Sequence, residues 1–217
     1  GCLQIGFCND GCAIGAKWST LYTEIPKAEA TDHFELRTEA MVVKINHDDS
    51  GRVTGVVYAD NAGALHEQRA SAVCVACNVV ETTRLLLLSE SPLFPDGLAN
   101  SSGHVGKNYM RHMANGVAAV MPGPVNAHRG ARQAGFIRDE HGHDPDRGFA
   151  GGYLMELSGG TPESHSRFAG WGDDARSWME NFSYRAGMFL VGEDPPQESN
   201  RITLHPTDKD ALGLPVP

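Results

Sequence analysis

The feature that most constrains the fold is an uninterrupted apolar run that leads straight into a helix-like segment. Residues 72–77 are all apolar and lack the alternation of a half-exposed strand. Such a run predicts a strand that is buried on both faces, as in a sheet covered by helices. Asn78 ends the run, Thr82 and Thr83 are candidate helix caps, and a row of leucines begins at Leu85. We therefore expect a buried strand that passes directly into a helix.

A junction of this kind places free backbone N–H groups at the carboxyl end of a strand. Open α/β sheets bind phosphate-bearing cofactors at that position. An ordinary buried strand and helix without a ligand would have the same sequence, so the junction alone leaves both interpretations open.

Bulk composition restricts the class of protein. The 217 residues are enough for one large domain or two small ones, and the 41% hydrophobic content can form a core. A net charge of −9 argues against a nucleic-acid surface, which needs clustered Lys and Arg. No apolar run approaches the roughly 18 residues of a membrane span, and no signal peptide is visible. The chain starts at Gly1 rather than at a Met, and it ends at Pro217 within the segment LGLPVP. We therefore expect a fragment of a longer protein.

Three of the five cysteines lie close together near the N-terminus. Cys2, Cys8 and Cys12 have the spacing C-x5-C-x3-C, with glycines between them. Thiolates bind soft metals and iron–sulfur clusters, but three ligands are too few for a closed zinc site. Incidental cysteines, or one disulfide with a spare thiol, would also explain the spacing. Cys74 and Cys77 lie in the apolar run, where we expect them to be buried as small hydrophobic residues.

Alternating apolar residues and turn residues predict a three-stranded meander ahead of the apolar run. Asp48 to Arg52 and Asp60 to Gly63 are typical of tight turns between strands. The residues predicted to be strand are Phe34–Thr38 and Ala40–Asn46 before the first turn, Val53–Ala59 between the turns, and Leu65–Ala70 after the second.

From residue 113 onward we expect a second lobe that contains a sheet. Scattered Gly, His, Arg and Asp predict long loops over residues 121–148, and one short helix is expected within 158–181. His104 and His112 flank Asn108 and form either the polar lining of a site or ordinary loop. The predicted strands of this lobe are Phe149–Leu157, Phe182–Val191 and Arg201–His205.

This chain resembles the glucose–methanol–choline (GMC) family of flavoprotein oxidoreductases in five short sequence segments, here called phrases, which occur in the same order along the chain as in the family. Each phrase is weak alone, but the order and spacing of all five make the resemblance strong. The most similar branch is the large subunit of membrane-bound FAD-dependent sugar and polyol dehydrogenases. The phrases are residues 15–20 (GAKWST), 40–45 (AMVVKI), 51–56 (GRVTGV), 75–87 (VACNVVETTRLLL) and 105–112 (VGKNYMRH).

This resemblance implies an α/β (α+β) fold in two parts. Residues 1–112 would form the central part of an FAD-binding, Rossmann-like domain that includes the β-meander and the cysteine segment. Residues 113–217 would form an incomplete substrate-binding lobe on an antiparallel sheet. The N-terminal GxGxxG unit of the family has no counterpart here. The catalytic His segment is expected beyond Pro217, so activity of this chain alone is not expected.

The resemblance also implies FAD contacts. Val42 occupies the position whose backbone meets the adenine, and Ala76, Cys77 and Asn78 fall at a turn beside the cofactor. Asn78 stands where many members have Gly, and Thr83 stands where many have Pro, which puts these contacts in doubt. The implied contacts in the phrase that enters the substrate lobe are Asn108 and His112.

A [3Fe–4S] cluster on Cys2, Cys8 and Cys12 follows from the same branch. The implied enzyme oxidises a CH–OH group of a sugar, sugar acid or polyol with FAD. It passes the electrons through the cluster to a cytochrome c subunit. A small chaperone-like subunit and a periplasmic location, membrane-associated through the partner, belong to the same expectation. The alternatives are a soluble GMC dehydrogenase or oxidase without a cluster, and a non-catalytic flavin or cluster electron-transfer module.

Overall fold

The structure is a computed structural model that describes residues 1–8, 11–131, 133, 135–159 and 170–217. Within these residues the chain is a mixed α/β protein with two antiparallel sheets. None of the described helices is both long and apolar enough to cross a lipid bilayer. The strands are β1 (Met41–His47), β2 (Val53–Ala59), β3 (Leu65–Arg69), β4 (Met113–Val120), β5 (Phe136–Ile137), β6 (Tyr153–Ser158) and β7 (Arg185–Gly192). The helices are α1 (Glu24–Glu29), α2 (Val79–Leu88) and α3 (Asp173–Glu180), with 3₁₀ turns at Pro145–Arg147 and Phe182–Tyr184.

The chain divides into two compact units, each made of two separate stretches. The meander unit combines Glu35–Met110 with Pro196–Pro217. The second unit, here the four-stranded unit, combines Gly1–Phe34 with Arg111–Pro195. The division into an FAD-binding domain at 1–112 and a substrate lobe at 113–217 stays a prediction about the whole enzyme.

The predicted β-meander is confirmed in the meander unit. Strands β1, β2 and β3 lie side by side in that order, each antiparallel to the next. Asp48 closes the first turn because its Oδ1 accepts the N–H groups of Ser50 and Arg52. Asp60 closes the second in the same way, accepting from Ala62 and Ala64. Both turns also use a glycine at positive φ, as tight turns require.

Helix α2 packs on β1 and forms the core of this unit. Ile45, Leu85 and Leu98 are its buried centre, with exposed fractions of 2%, 7% and 9%. Ser89 is fully buried at the end of the helix. Its Oγ accepts the N–H of Ile45 at 3.0 Å and donates to the carbonyl of Leu85 at 2.6 Å. This hydroxyl therefore joins the end of α2 to the middle of β1.

The apolar run at residues 72–77 is not the buried strand that we predicted. Its backbone pairs with no strand among the described residues, and Cys74 and Cys77 are exposed. Only Val73 and Val75 are half-buried, and Val75 packs against the core beneath α2. Burial on both faces needs a covering layer on each side. In the described part of the chain this segment is covered on one side only.

The second sheet has the order β4-β7-β6-β5 and belongs to the four-stranded unit. Strands β6 and β7 confirm two predicted strands with shifted starts. Strand β4 was not predicted, because its Ala and Gly residues have low β-propensity. Predicted strands at Phe34–Thr38 and Arg201–His205 are wrong, since neither segment joins a ladder. The predicted helix is α3, and residues 160–169 of its predicted range lie outside the described residues.

A buried guanidinium ties α2 to the C-terminal segment of the meander unit. Arg84 is 5% exposed and donates to the carboxylate of Asp210 at 2.6 Å. It also donates to the carbonyl oxygens of Pro215 at 2.9 Å and Leu214 at 3.4 Å. The hydrogen bond from Arg84 keeps the pKa of Asp210 below its usual value, assisted by the backbone N–H groups of Leu214 and Leu212.

Replacing Arg84 with Met should destabilise the protein by about 2 kcal/mol at pH 7. The substitution keeps the apolar stem but leaves Asp210 and two carbonyl oxygens without their donor. Chemical denaturation followed by circular dichroism measures the change in the free energy of unfolding. Arg52→Met, at an exposed residue of the first turn, is the matched control and should change that free energy little.

The loss should depend on pH in a defined direction. Asp210 has a lowered pKa in the folded state, so its contribution is present above the unfolded value of about 3.9. It is lost as the pH falls through the lower folded value. The difference between wild type and Arg84→Met should therefore shrink below about pH 4. A difference that stays constant down to pH 2 would contradict the role given to Asp210.

Candidate functional site

The predicted cofactor turn lies at the start of α2, and Asn78 is its cap. The side-chain oxygen of Asn78 accepts the N–H groups of Val80 and Glu81, both at 3.0 Å. The predicted caps Thr82 and Thr83 are wrong, because both lie inside α2. Asn78 is the cap because its backbone is extended and directly precedes the first helical residue. Its short side-chain amide reaches the N–H groups of the second and third helical residues.

This turn is accessible to a ligand. Ala76, Cys77 and Asn78 are all exposed. The cap occupies two N–H groups of the first turn, and Thr82 donates to the Asn78 carbonyl. Among the described residues, only the N–H of Val79 in that turn is left without a partner. The residues therefore fit a cofactor that approaches the helix start through one backbone donor, rather than a phosphate cradled by several.

Val42 lies at an irregularity in β1. It pairs with Tyr58, whereas Lys44 pairs with Val57, so one extra residue interrupts the ladder between them. Val43 occupies that bulge and is buried, while Val42 is 37% exposed. A bulge re-aims the neighbouring residue. Val42 therefore keeps part of its surface accessible, and its predicted backbone contact with the adenine stays a prediction.

Asn108 has a clear backbone role in the meander unit. It adopts a left-handed conformation with φ of 59°, which Asn tolerates better than most residues. On either side of it the chain is bonded to the C-terminal stretch: Tyr109 donates to Asn200, and Ile202 donates to Gly106. A β-carbon at Gly106 would overlap the carbonyl oxygen of Ile202, so the approach requires glycine. The structure does not test contact of Asn108 with FAD.

His112 is exposed and belongs to the four-stranded unit. Asn108 belongs to the meander unit. The shared site that the resemblance implies for these two residues stays a prediction.

The three N-terminal cysteines are free, and Cys12 differs from the other two. Backbone N–H groups lower the pKa of the Cys12 thiol, that of Lys17 most strongly, with Ala16, Ile14 and Gly15 contributing. Hydrogen bonds from the backbone stabilise a thiolate, the form that binds metals. Cys2 is exposed and Cys8 is half-buried.

The donor chemistry of this segment suits a soft metal, but its arrangement is not that of a formed site. No three His, Cys, Asp or Glu side chains are grouped as metal ligands anywhere in the described residues. The structure therefore supports thiolate character at Cys12 and gives no geometry for a cluster. The [3Fe–4S] assignment for Cys2, Cys8 and Cys12 stays a prediction.

Sequence reasoning missed the residues that hold the cofactor turn in place. Arg84 entered the sequence analysis only as one residue of the family segment 75–87. In the structure it is the most extensively bonded buried side chain of α2. Asp210 was likewise not singled out. A charged residue directly before a run of four leucines, on the same helix, is the signal that predicts a buried ion pair, since burying an unpaired charge is costly.

Relatives with assigned activities are similar to almost the whole of this chain. It is 37% identical over 217 residues to a 2-methyl-1,2-propanediol dehydrogenase of Mycolicibacterium austroafricanum, covering 95% of this chain and 39% of that protein. It is 29% identical to a fructose dehydrogenase large subunit of Gluconobacter japonicus, covering 97% and 39%. Identity to a 6'''-hydroxyparomomycin C oxidase of Streptomyces lividus is 31%, covering 94% and 36%. The chain thus spans well under half the length of these relatives.

A family model places these similarities in one group. The model described as GMC oxidoreductase matches residues 1–114, which include the cysteine segment, the meander and α2. The matched residues make up more than half of the chain, and all five phrases of the resemblance fall inside them. The chain belongs to the GMC oxidoreductase family.

Proposed function

We propose that this chain is part of an FAD-dependent dehydrogenase that oxidises a CH–OH group of a polyol, sugar or sugar acid. The match of the GMC oxidoreductase family to residues 1–114 carries the proposal. Three relatives are named for alcohols or sugar-like substrates, which supports the same class. The proposal includes a Rossmann-like arrangement around the meander and a substrate lobe over residues 113–217.

In this proposal the chain holds and orients the cofactor. FAD, when bound, supplies the hydride acceptor for the carbon that carries the hydroxyl. Val42 and the turn from Ala76 to Asn78 would bind it, with Asn108 and His112 at the entry to the substrate lobe. The general base is expected from a His beyond Pro217, so residues 1–217 alone should be inactive.

The electron acceptor distinguishes two candidate functions. The resemblance favours a [3Fe–4S] cluster on Cys2, Cys8 and Cys12, a cytochrome c subunit, a small chaperone-like subunit and a periplasmic location. The ungrouped metal ligands of the described residues favour the second candidate, a dehydrogenase or oxidase without a cluster. One of the relatives, named as an oxidase, is consistent with the second candidate.

The full-length protein purified with FAD should oxidise at least one polyol or sugar. Substrate added without oxygen should bleach the flavin absorbance near 450 nm, because a hydride moves to the cofactor. The panel should contain 1,2-diols, fructose, glucose, sorbitol and gluconate, with an artificial electron acceptor for turnover. Flavin that none of these substrates bleaches would contradict the proposed reaction.

Substitutions of Asn78 should separate helix capping from cofactor binding. Asn78→Ala should cost about 1 kcal/mol of stability, because two N–H groups lose their acceptor. Asn78→Asp keeps the acceptor but places a negative charge beside an anionic cofactor. It should retain the melting temperature and lose FAD affinity by at least about tenfold, which is roughly 1.4 kcal/mol.

Asn78→Ser is the matched control, since it caps the helix without charge. It should keep both stability and flavin content. Equal FAD affinity in the Asp and Ser variants would show that the turn does not contact the cofactor.

Electron paramagnetic resonance on anaerobically purified full-length protein tests the cluster. We expect the signal of an oxidised three-iron cluster, lost in Cys8→Ser while FAD is retained. Cys74→Ser is the control, because this exposed cysteine lies outside both the N-terminal segment and the proposed FAD turn. Flavin without iron would remove the cluster from the proposal and leave the cluster-free enzyme.

A further inference from the structure

The four-stranded sheet carries a cavity of about 230 Å³ on one of its faces. Alternate residues of a strand point to opposite faces, and paired residues share a face. Gly116, Ala118 and Gly187 are on the cavity face, with Gly187 paired to Ala118. All three are small, and a β-carbon at Gly187 would meet no atom nearer than 3.5 Å. Small side chains therefore leave open space above the strands.

Aromatic side chains enclose this space. Trp178 and Phe182, from α3 and the 3₁₀ turn that follows it, line the cavity together with Phe189 of β7. The rings of His128 and Phe182 lie 5.0 Å apart between centroids. The volume lies below the roughly 300 to 1,000 Å³ of drug-sized pockets. The cavity therefore suits a compact ligand with a flat or branched apolar body.

One wall of the cavity carries a positive charge. Arg185 is half-buried, and its guanidinium stacks 3.5 Å from the centroid of the Trp178 ring. Its Nε donates to the Trp178 carbonyl at 3.3 Å. Arg185 takes part in none of the ion pairs formed by the described residues. A half-buried guanidinium without a carboxylate is an unusual charge to keep in apolar surroundings.

A second polar group in the same cavity also lacks a partner. The Nδ1 atom of His128 is buried and has no hydrogen-bond partner among the described residues. That atom has almost no accessible surface, so an oxygen of a ligand in the cavity does not reach it. Arg185 is therefore the polar group of the cavity wall that can pair with an anionic oxygen.

We propose that this cavity binds a compact organic carboxylate with an aromatic or branched apolar body of about benzoate size. The body fills the space between the small residues of the sheet and the ring of Trp178. The carboxylate pairs with Arg185. Charge-assisted hydrogen bonds are stronger than hydrogen bonds between neutral groups, and the planar guanidinium of Arg matches the geometry of a carboxylate.

The proposal does not depend on the proposed dehydrogenase activity. Its residues lie between Gly116 and Phe189, beyond the residues 1–114 that match the family model. Loss of flavin or of alcohol oxidation would leave it intact, and its own failure would leave the dehydrogenase assignment intact.

Isothermal titration calorimetry with sodium benzoate on the full-length protein tests the site. We expect one site with a dissociation constant of about 1 mM or tighter, as a fragment of this size allows. Benzyl alcohol has the same ring without the charge and should bind at least about tenfold more weakly. Arg185→Gln should weaken benzoate by at least about tenfold.

Two substitutions on one strand provide the matched control. Ala118→Leu fills the cavity and should abolish benzoate binding, whereas Ala119→Leu points to the other face of β4 and should leave it unchanged. Gly187→Ala fills less of the cavity and should weaken benzoate binding. It replaces Ala118→Leu in the test if that variant does not fold. No binding up to 10 mM benzoate, equal binding of benzyl alcohol, or binding that survives both filling substitutions would overturn the proposal.

Discussion

The buried contact of Arg84 is the interaction on which the rest of the meander unit depends. Residues 196–217 join this unit from far along the chain, and a guanidinium with three oxygen partners holds their end against α2. Fixing such a distant segment costs conformational entropy. The bond geometry offsets that cost because one planar group binds a carboxylate and two carbonyls together. The leucine-rich helix alone offers no such directional contact.

Three polar contacts hold α2, one at each end and one between them. Asn78 caps the start, Arg84 fixes the middle, and Ser89 bonds the last turn to β1. Apolar packing is non-directional, so the bonds of Arg84 and Ser89 to other segments fix the rotation and translation of the helix, while the Asn78 cap bonds only the helix's own first turn. The turn from Ala76 to Asn78 is continuous with the helix start. Its position therefore follows from the position of the helix, as the predicted cofactor contact needs.

Local patterns predicted the meander and its turns, and non-local burial did not follow from them. The meander could be predicted because its turns are local. Asp48 and Asp60 close them by accepting hydrogen bonds from the N–H groups two and four positions ahead. The apolar run failed as a buried strand because its burial depends on partners that composition does not specify. β4 was missed because Ala and Gly carry little strand preference, and its pairing with β7 overrides that weakness. The Arg84 partner lies 126 residues away, beyond any local pattern.

The cysteine segment and the cavity of the four-stranded unit share one loop. Gly130 donates to the carbonyl of Gln4, and Ile5 forms a parallel bridge with Gly130. Gly6 has φ of 81°, and a β-carbon there would overlap the carbonyl oxygen of His128. The other end of the loop is held by Asn126, which donates to Ser183 beside the 3₁₀ turn. His128 therefore has its backbone against the cysteine segment and its imidazole in the cavity. The N-terminal cysteine segment and the proposed ligand site thus lie on the two sides of a single hydrogen-bonded loop.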